Sequence, residues 1–336
     1  MSLTEINQAP PEEPISIPSN RDGVAYLQST MRSASIGPKS PLSSVTGSSE
    51  TYPPPYTRSP PIEKYLASIK SNPKFVGSSV TMPHKVAIMP YLDDLTEHAR
   101  QAGACNTIFL RDDPTTGQRQ YVGTNTDCDG IREALTQNAP DPSRFRGRPA
   151  LIIGGGGTAR TAIYVMRRWL GSSRIYVVNR DAAEVAAILD EDRRRNPDPN
   201  AQAPLIPVTD PVDAARLEAP AAIVSGIPNY PPKSPEELRA RAIIQAFLGT
   251  AADADKQQGV ILEMCYHPTP WTEIAHLASA GGWKVILGSE ALIWQGLEQA
   301  RLWTGKDVTG TPGLVKQVKD LVAKTIAERE SAKSSL

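Results

Sequence analysis

Apolar residues recur at helical spacing in some stretches of this chain and bunch into short runs in others, and the two patterns alternate. Ile62, Tyr65, Leu66 and Ile69 in IEKYLASIKS fall on one face of a helical wheel, which predicts a helix. FVGSSVTM predicts a short strand ending at Pro83, and VAIMPYLDDLTEHARQAG a Pro-marked helical stretch closed by Gly103. ACNTIFLRDD and QRQYVGTNTD flank a Gly-containing turn, as a strand pair does, and GIREALTQNA follows as a helix.

After a connector over residues 141–149, ALIIGGGGTARTAIYVMRRWL combines a buried strand, a glycine turn and a helix. With the strand RIYVVNR it makes a βαβ unit. The alternation continues through AAEVAAILDEDRRR (helix), AAIVSGI (strand), PEELRARAIIQAFL (helix), GVILEMCY (strand), WTEIAHLASAGG (helix) and KVILG (strand). Two helical segments close it, SEALIWQGLEQARLWTG and PGLVKQVKDLVAKTIAERE. Such alternation predicts an α/β fold with a doubly wound parallel sheet.

Residues 1–60 lack this periodicity and are crowded with Pro, Ser and Thr, so too little apolar surface is on offer to offset ordering entropy; a disordered tail is expected. Charge changes the picture only by exclusion. Thirty-six basic residues balance 36 acidic ones, which argues against a nucleic-acid partner. Cys105, Cys128 and Cys265 are scattered, without CxxC spacing, and read as free thiols in a reducing compartment. His84 and His267 each sit beside Pro with no third ligand at metal spacing, so no metal is expected. No apolar run reaches the roughly 18–20 residues that span a bilayer, and the acidic, Pro-rich start is unlike a signal peptide. A cytoplasmic protein is the expectation.

Two segments offer chemistry. Gly154, Gly155, Gly156 and Gly157, then Thr158 and Ala159, follow the strand Leu151-Ile152-Ile153, where backbone N–H groups at a helix start can approach a pyrophosphate. The next strand ends at Asn179-Arg180-Asp181, about 20 residues on, where an adenosine ribose is read. Arg180 suits a 2′-phosphate and Asp181 a free ribose hydroxyl, so NADP and NAD both stay open. In the other segment, Lys85 and Asp127 lie at the ends of short elements. A Lys beside a carboxylate can move a hydroxyl proton and stabilise an alkoxide. Spacing alone fits a surface lysine and a helix N-cap better than a catalytic pair.

In order and separation, VTMPHK, GACNT and GTNTD resemble three signature motifs of the shikimate/quinate dehydrogenase family. GGGGTAR, YVVNR and GSEALIWQGLEQARLWTG are similar to its nucleotide turn, cofactor-selecting strand end and C-terminal substrate helix, with fungal members closest in wording. The resemblance covers about residue 61 to 320. It implies Lys85 and Asp127 as the catalytic pair, and Thr81, Asn106 and Gln295 as contacts to substrate hydroxyls. Tyr266 is implied near the nicotinamide, with Glu263 in the acidic place of that motif, and Gly288 in the cofactor site. Gln295 and Tyr266 also fit a solvated helix position and core packing.

The implied architecture is a C-terminal Rossmann-type doubly wound sheet plus a smaller N-terminal α/β substrate domain. Its divisions fall at 1–60 (tail), 61–140 (substrate and catalytic), 141–288 (cofactor) and 289–330 (helices returning to the substrate domain). The family opens with a strand, a Ser-x-Ser-Pro segment and a second strand. Here Tyr26-Leu27, Ser33, Ser35, Ser40-Pro41 and Arg58-Ser59-Pro60 echo it imperfectly, so the N-terminal domain reads as truncated by about 50 residues, with exposed sheet edges as the consequence. The implied activity is NAD(P)-dependent interconversion of shikimate and 3-dehydroshikimate, or of quinate and 3-dehydroquinate, by a monomer or homodimer. A ligand-sensing homologue without turnover and an inactive truncated product are the alternatives.

Overall fold

The computed structural model describes residues 62–81, 83–196, 202–249, 259–266 and 269–334. The expected tail with its serines, Met82 and His267 lie outside the described residues.

Two sheets carry the fold. The first holds β1 (Gly77–Ser79), β2 (Asp94–Leu95), β3 (Thr107–Asp112) and β4 (Arg119–Thr124) in the order β1-β3-β4-β2. The β3–β4 pair is the expected antiparallel hairpin, and β2 runs parallel to β4. Alternation along β3 divides its two faces. Ile108 and Leu110 join Leu66 and Ile69 of α1 (Ile62–Lys70), while Phe109 packs with Leu302 and Trp303 on the other side.

The second sheet is wholly parallel. It holds β5 (Ala150–Ile153), β6 (Ile175–Val178), β7 (Leu205–Pro207), β8 (Ala222–Ser225), β9 (Val260–Glu263) and β10 (Lys284–Leu287), in the order β10-β9-β8-β5-β6-β7. The strand order reverses between β5 and β8, and ligands of such sheets sit beyond the carboxyl ends of strands at that crevice. Each face is covered: Ala150 and Ile152 enter one core, Leu151 and Ile153 the other.

Two helices join the sheets. The helix α4 (Asp127–Asn138) leaves β4, and α10 (Gly288–Thr304) leaves β10 and packs along it. Trp303 donates from Nε1 to Ile108 O at 3.0 Å, pinning the end of α10 to the first sheet. A Cβ on Gly77 would lie 1.9 Å from the Trp303 indole, so this position of β1 requires glycine.

The expected single helix over VAIMPYLDDLTEHARQAG is instead α2 (His84–Ala87), a 3-10 turn at Met89–Tyr91, β2, and α3 (Glu97–Ala102). Pro90 interrupts the backbone bonding, and Thr96 restarts the helix by accepting from Ala99 N. Gly103 ends α3 in the left-handed conformation, as expected. Between β5 and β9 lie α5 (Gly157–Arg168), α6 (Ala182–Arg195), α7 (Pro211–Arg216) and α8 (Pro235–Leu248); α9 (Glu273–Ala280) and α11 (Leu314–Ser334) are the remaining α-helices among the described residues. No helix among the described residues is long and apolar enough to cross a membrane.

Candidate active site

Lys85 is the second residue of α2, placed there by the turn through Pro83, and its carbonyl accepts from Cys105 N at 2.8 Å. Asp127 is the first residue of α4. Forty-two positions apart in sequence, the two side chains meet in a hydrogen-bonded ion pair between Lys85 Nζ and Asp127 Oδ2. They are 16% and 10% exposed, so water competes weakly for the pair while an opening remains.

A buried polar network holds the Asp127 end. Asn106, 3% exposed, accepts through Oδ1 from Thr126 N at 2.8 Å and from Thr107 Oγ1 at 2.7 Å. Its Nδ2 donates to Thr126 Oγ1 at 3.0 Å and to Gln295 Oε1 at 3.4 Å. Asn125 accepts from Asp127 N at 3.2 Å and donates to Thr161 Oγ1 at 2.9 Å, which ties the first turn of α4 to α5. Gln295 is buried on α10 rather than solvated. One turn further, Gln299 donates to Thr107 Oγ1 at 2.9 Å and accepts from Ser79 Oγ at 3.2 Å. Lys85, Asp127, Asn106 and Gln295 are thus brought together. Thr81 is exposed, and its carbonyl accepts from His84 N at 2.9 Å. Asn125, Thr126 and Thr107 stand inside the motifs quoted above but carried no separate role there. Gln299 was missed, although its helical spacing from Gln295 was readable.

The glycine turn abuts this pair. A Cβ on Gly157, the first residue of α5, would lie 3.2 Å from Lys85 Cβ, so the start of that helix faces the lysine. Gly154 has φ 131°, a conformation that L side chains rarely adopt. Gly156 has no atom within 4 Å of where a Cβ would stand, and Thr158 and Ala159 continue into α5. The opening N–H groups of a helix of this length, above a glycine turn at the switch point of a parallel sheet, fit a pyrophosphate.

At the end of β6, Asn179 Nδ2 donates to Glu184 Oε2 at 2.6 Å. Asp181 caps α6 by accepting from Ala183 N at 2.8 Å, and Arg180 is paired with Glu237 of α8. Beyond β9, Glu263 is fully buried; it accepts from Cys265 N at 3.1 Å and from Thr272 Oγ1 at 2.8 Å. Burial raises its carboxyl to about 7, against the lowering effect of those hydrogen bonds. Tyr266 stands on the same loop, 38% exposed rather than packed in the core. A Cβ on Gly288 would lie 2.6 Å from Met264 O and 2.7 Å from Glu263 O, so the start of α10 crosses this loop at close range.

Comparison with known proteins follows the same lines. Residues 33–108 match the family described as shikimate dehydrogenase substrate binding domain, a match that opens inside the stretch read above as tail. A quinate dehydrogenase of Emericella nidulans is 62% identical over 336 residues, spanning 95% of this chain and 99% of that protein. The pentafunctional AROM polypeptide of Schizosaccharomyces pombe is 38% identical over 237 residues, 69% of this chain but 14% of that much longer protein. The solved structure of dehydroquinate dehydratase and shikimate dehydrogenase from S. pombe AroM superposes with a TM-score of 0.57 at 33% identity, over 74% of this chain and 43% of that one. A strand-end glycine turn beside a shielded lysine–carboxylate pair, and similarity along nearly the whole length of a quinate dehydrogenase, place this chain in the shikimate/quinate dehydrogenase family of oxidoreductases.

Proposed function

We propose that this chain catalyses the reversible oxidation of quinate to 3-dehydroquinate at C3 with a nicotinamide dinucleotide, shikimate being the related substrate to test beside it. The observation that carries the reading is the Lys85–Asp127 ion pair, shielded from water and seated against Gly157 at the start of α5. Quinate is put first because the relative 62% identical to this chain is named for it.

When bound, the nicotinamide supplies the hydride acceptor. The work of the chain is then to hold the alcohol and manage its proton. Lys85 Nζ, hydrogen-bonded to Asp127, relays the hydroxyl proton to that carboxylate, and the ammonium stabilises the negative charge that develops on the oxygen. Asn106, Gln295 and Thr81 contact the remaining hydroxyls; the fixed Asn106 and Gln295 amides support this, since groups already locked in place lose little entropy on binding. Gly154, Gly155, Gly156, Gly157, Thr158 and Ala159 cradle the pyrophosphate, with Asn179 and Arg180 at the adenosine end and Tyr266 and Gly288 at the nicotinamide end. The divisions are taken as 61–140 for substrate, 141–288 for cofactor and 289–330 for the returning helices, and the working form is a cytoplasmic monomer or homodimer.

The test is absorbance at 340 nm with purified protein, quinate or shikimate, and NAD+ or NADP+. Turnover of quinate in preference to shikimate is the expected result. Binding of either acid without turnover points to ligand sensing and removes the catalytic reading.

A further inference from the structure

The adenosine end holds a charge arrangement that the strand-end residues alone do not explain. Arg180 is the residue placed to meet a 2′-phosphate, yet its guanidinium is engaged by Glu237, which comes from α8, 57 positions later in the sequence. Glu237 is itself fixed. It is the N3 residue of a capping box, with Oε2 accepting from Lys233 N at 2.8 Å and Ser234 N at 3.1 Å, and its other oxygen, Oε1, faces Arg180. Those backbone N–H groups, and then Arg180, push the Glu237 carboxyl down to about 2, so it stays charged in any ordinary buffer.

Two more carboxylates stand nearby. Asp181 caps α6, and Glu184 accepts from Asn179 Nδ2. The Glu184 carboxylate reaches the turn itself: a Cβ on Gly155 would lie 2.3 Å from Glu184 Oε2. The guanidinium is therefore held by one fixed carboxylate, with two more on the same strand end and the first turn of α6. A doubly charged 2′-phosphate would have to compete with Glu237 for Arg180 and lie close to that fixed carboxylate. A free ribose hydroxyl would instead donate to the carboxylates.

We propose that Glu237 is a specificity-determining residue: by holding Arg180 it sets the adenosine pocket against a 2′-phosphate and in favour of NAD. The inference rests on the dinucleotide-binding reading given above. It extends that reading from the strand end to α8, whose N-terminus becomes part of the cofactor pocket. Because Arg180 is 64% exposed, the effect is electrostatic and weakens with salt.

Glu237→Gln tests it with little risk to folding, because a Gln at N3 also completes a capping box. Equilibrium binding of NAD+ and of NADP+ to the full chain is measured by calorimetry for the parent, for E237Q, and for E237Q combined with R180A. The parent is expected to bind NAD+ at least about tenfold more tightly than NADP+. E237Q is expected to tighten NADP+ by about tenfold while NAD+ moves by less than about threefold, and R180A on that background should erase the gain. The gain should shrink between low and high salt. A parent that binds NADP+ as well as NAD+, or an E237Q ratio within about twofold of the parent, overturns the role given to Glu237. A parent that binds neither dinucleotide overturns the cofactor reading itself, and this inference with it.

Discussion

Asn106→Leu tests whether the buried amide network organises the start of α4. Leucine keeps the branched outline of asparagine, so the change removes the hydrogen bonds while putting the bulk of two methyl groups into a buried site. In the parent, Asn106 Oδ1 accepts from Thr126 N and Thr107 Oγ1, and Nδ2 donates to Thr126 Oγ1 and Gln295 Oε1. Thr107 keeps the donor from Gln299, and the two threonine hydroxyls keep each other at 3.2 Å. Thr126 N–H keeps nothing, because Asn106 is its partner and the residue is 1% exposed. A stranded buried donor costs about 1–3 kcal/mol and each of the three other lost hydrogen bonds about 1 kcal/mol, so a loss of roughly 4–6 kcal/mol is expected. Thermal and urea unfolding followed by circular dichroism measure it. Gln299→Leu, which loses two hydrogen bonds but strands no backbone group, should cost about 2 kcal/mol by the same reasoning. If Asn106→Leu costs less than about 1 kcal/mol, or less than Gln299→Leu, Asn106 is not the hub of the network.

Two further outcomes concern the loop after β9. Gly288→Ala places a Cβ against the carbonyls of Glu263 and Met264, which are backbone and cannot swing away, so a destabilisation of about 1–3 kcal/mol is expected in a thermal melt. Glu263 has a folded-state value of about 7 against an ordinary 4.5, so the folded chain holds its proton longer than the unfolded one. Its contribution is full below the unfolded value and is lost as pH rises through about 7. Glu263→Gln removes that loss, so its melting temperature relative to the parent should be higher at pH 8 than at pH 5; an offset equal at both pH values contradicts the assignment.

The parallel sheet was readable because β5, β6, β8 and β9 are apolar runs buried on both faces, each bounded by turn residues. Two short strands were not. Asp94–Leu95 is too brief to show a period, and Leu205–Pro207 is an edge strand carrying a proline, a residue that argues against a strand when met in sequence. Within the site, the glycine turn and the Lys85 and Asp127 motifs were legible because backbone freedom and charge limit which residues serve there. The Arg180–Glu237 pair was not, since it depends on how α8 passes the end of β6. Glu237 lay within the helix read over PEELRARAIIQAFL, with no role given to it.

The central claim is that Lys85, held by Asp127, handles the proton of the substrate alcohol. Lys85→Met keeps the length and apolar stem of the side chain that lies against Gly157 and removes the amine. The decisive measurement is kcat for quinate oxidation at 340 nm in this variant, with dinucleotide affinity measured in parallel by calorimetry. The expected result is a fall in kcat of about 10²- to 10⁴-fold, the range carried by a positioned acid–base group, with dinucleotide affinity within about threefold of the parent. A variant that keeps kcat within about tenfold of the parent contradicts the account, because the ion pair would then be a structural tie between α2 and α4.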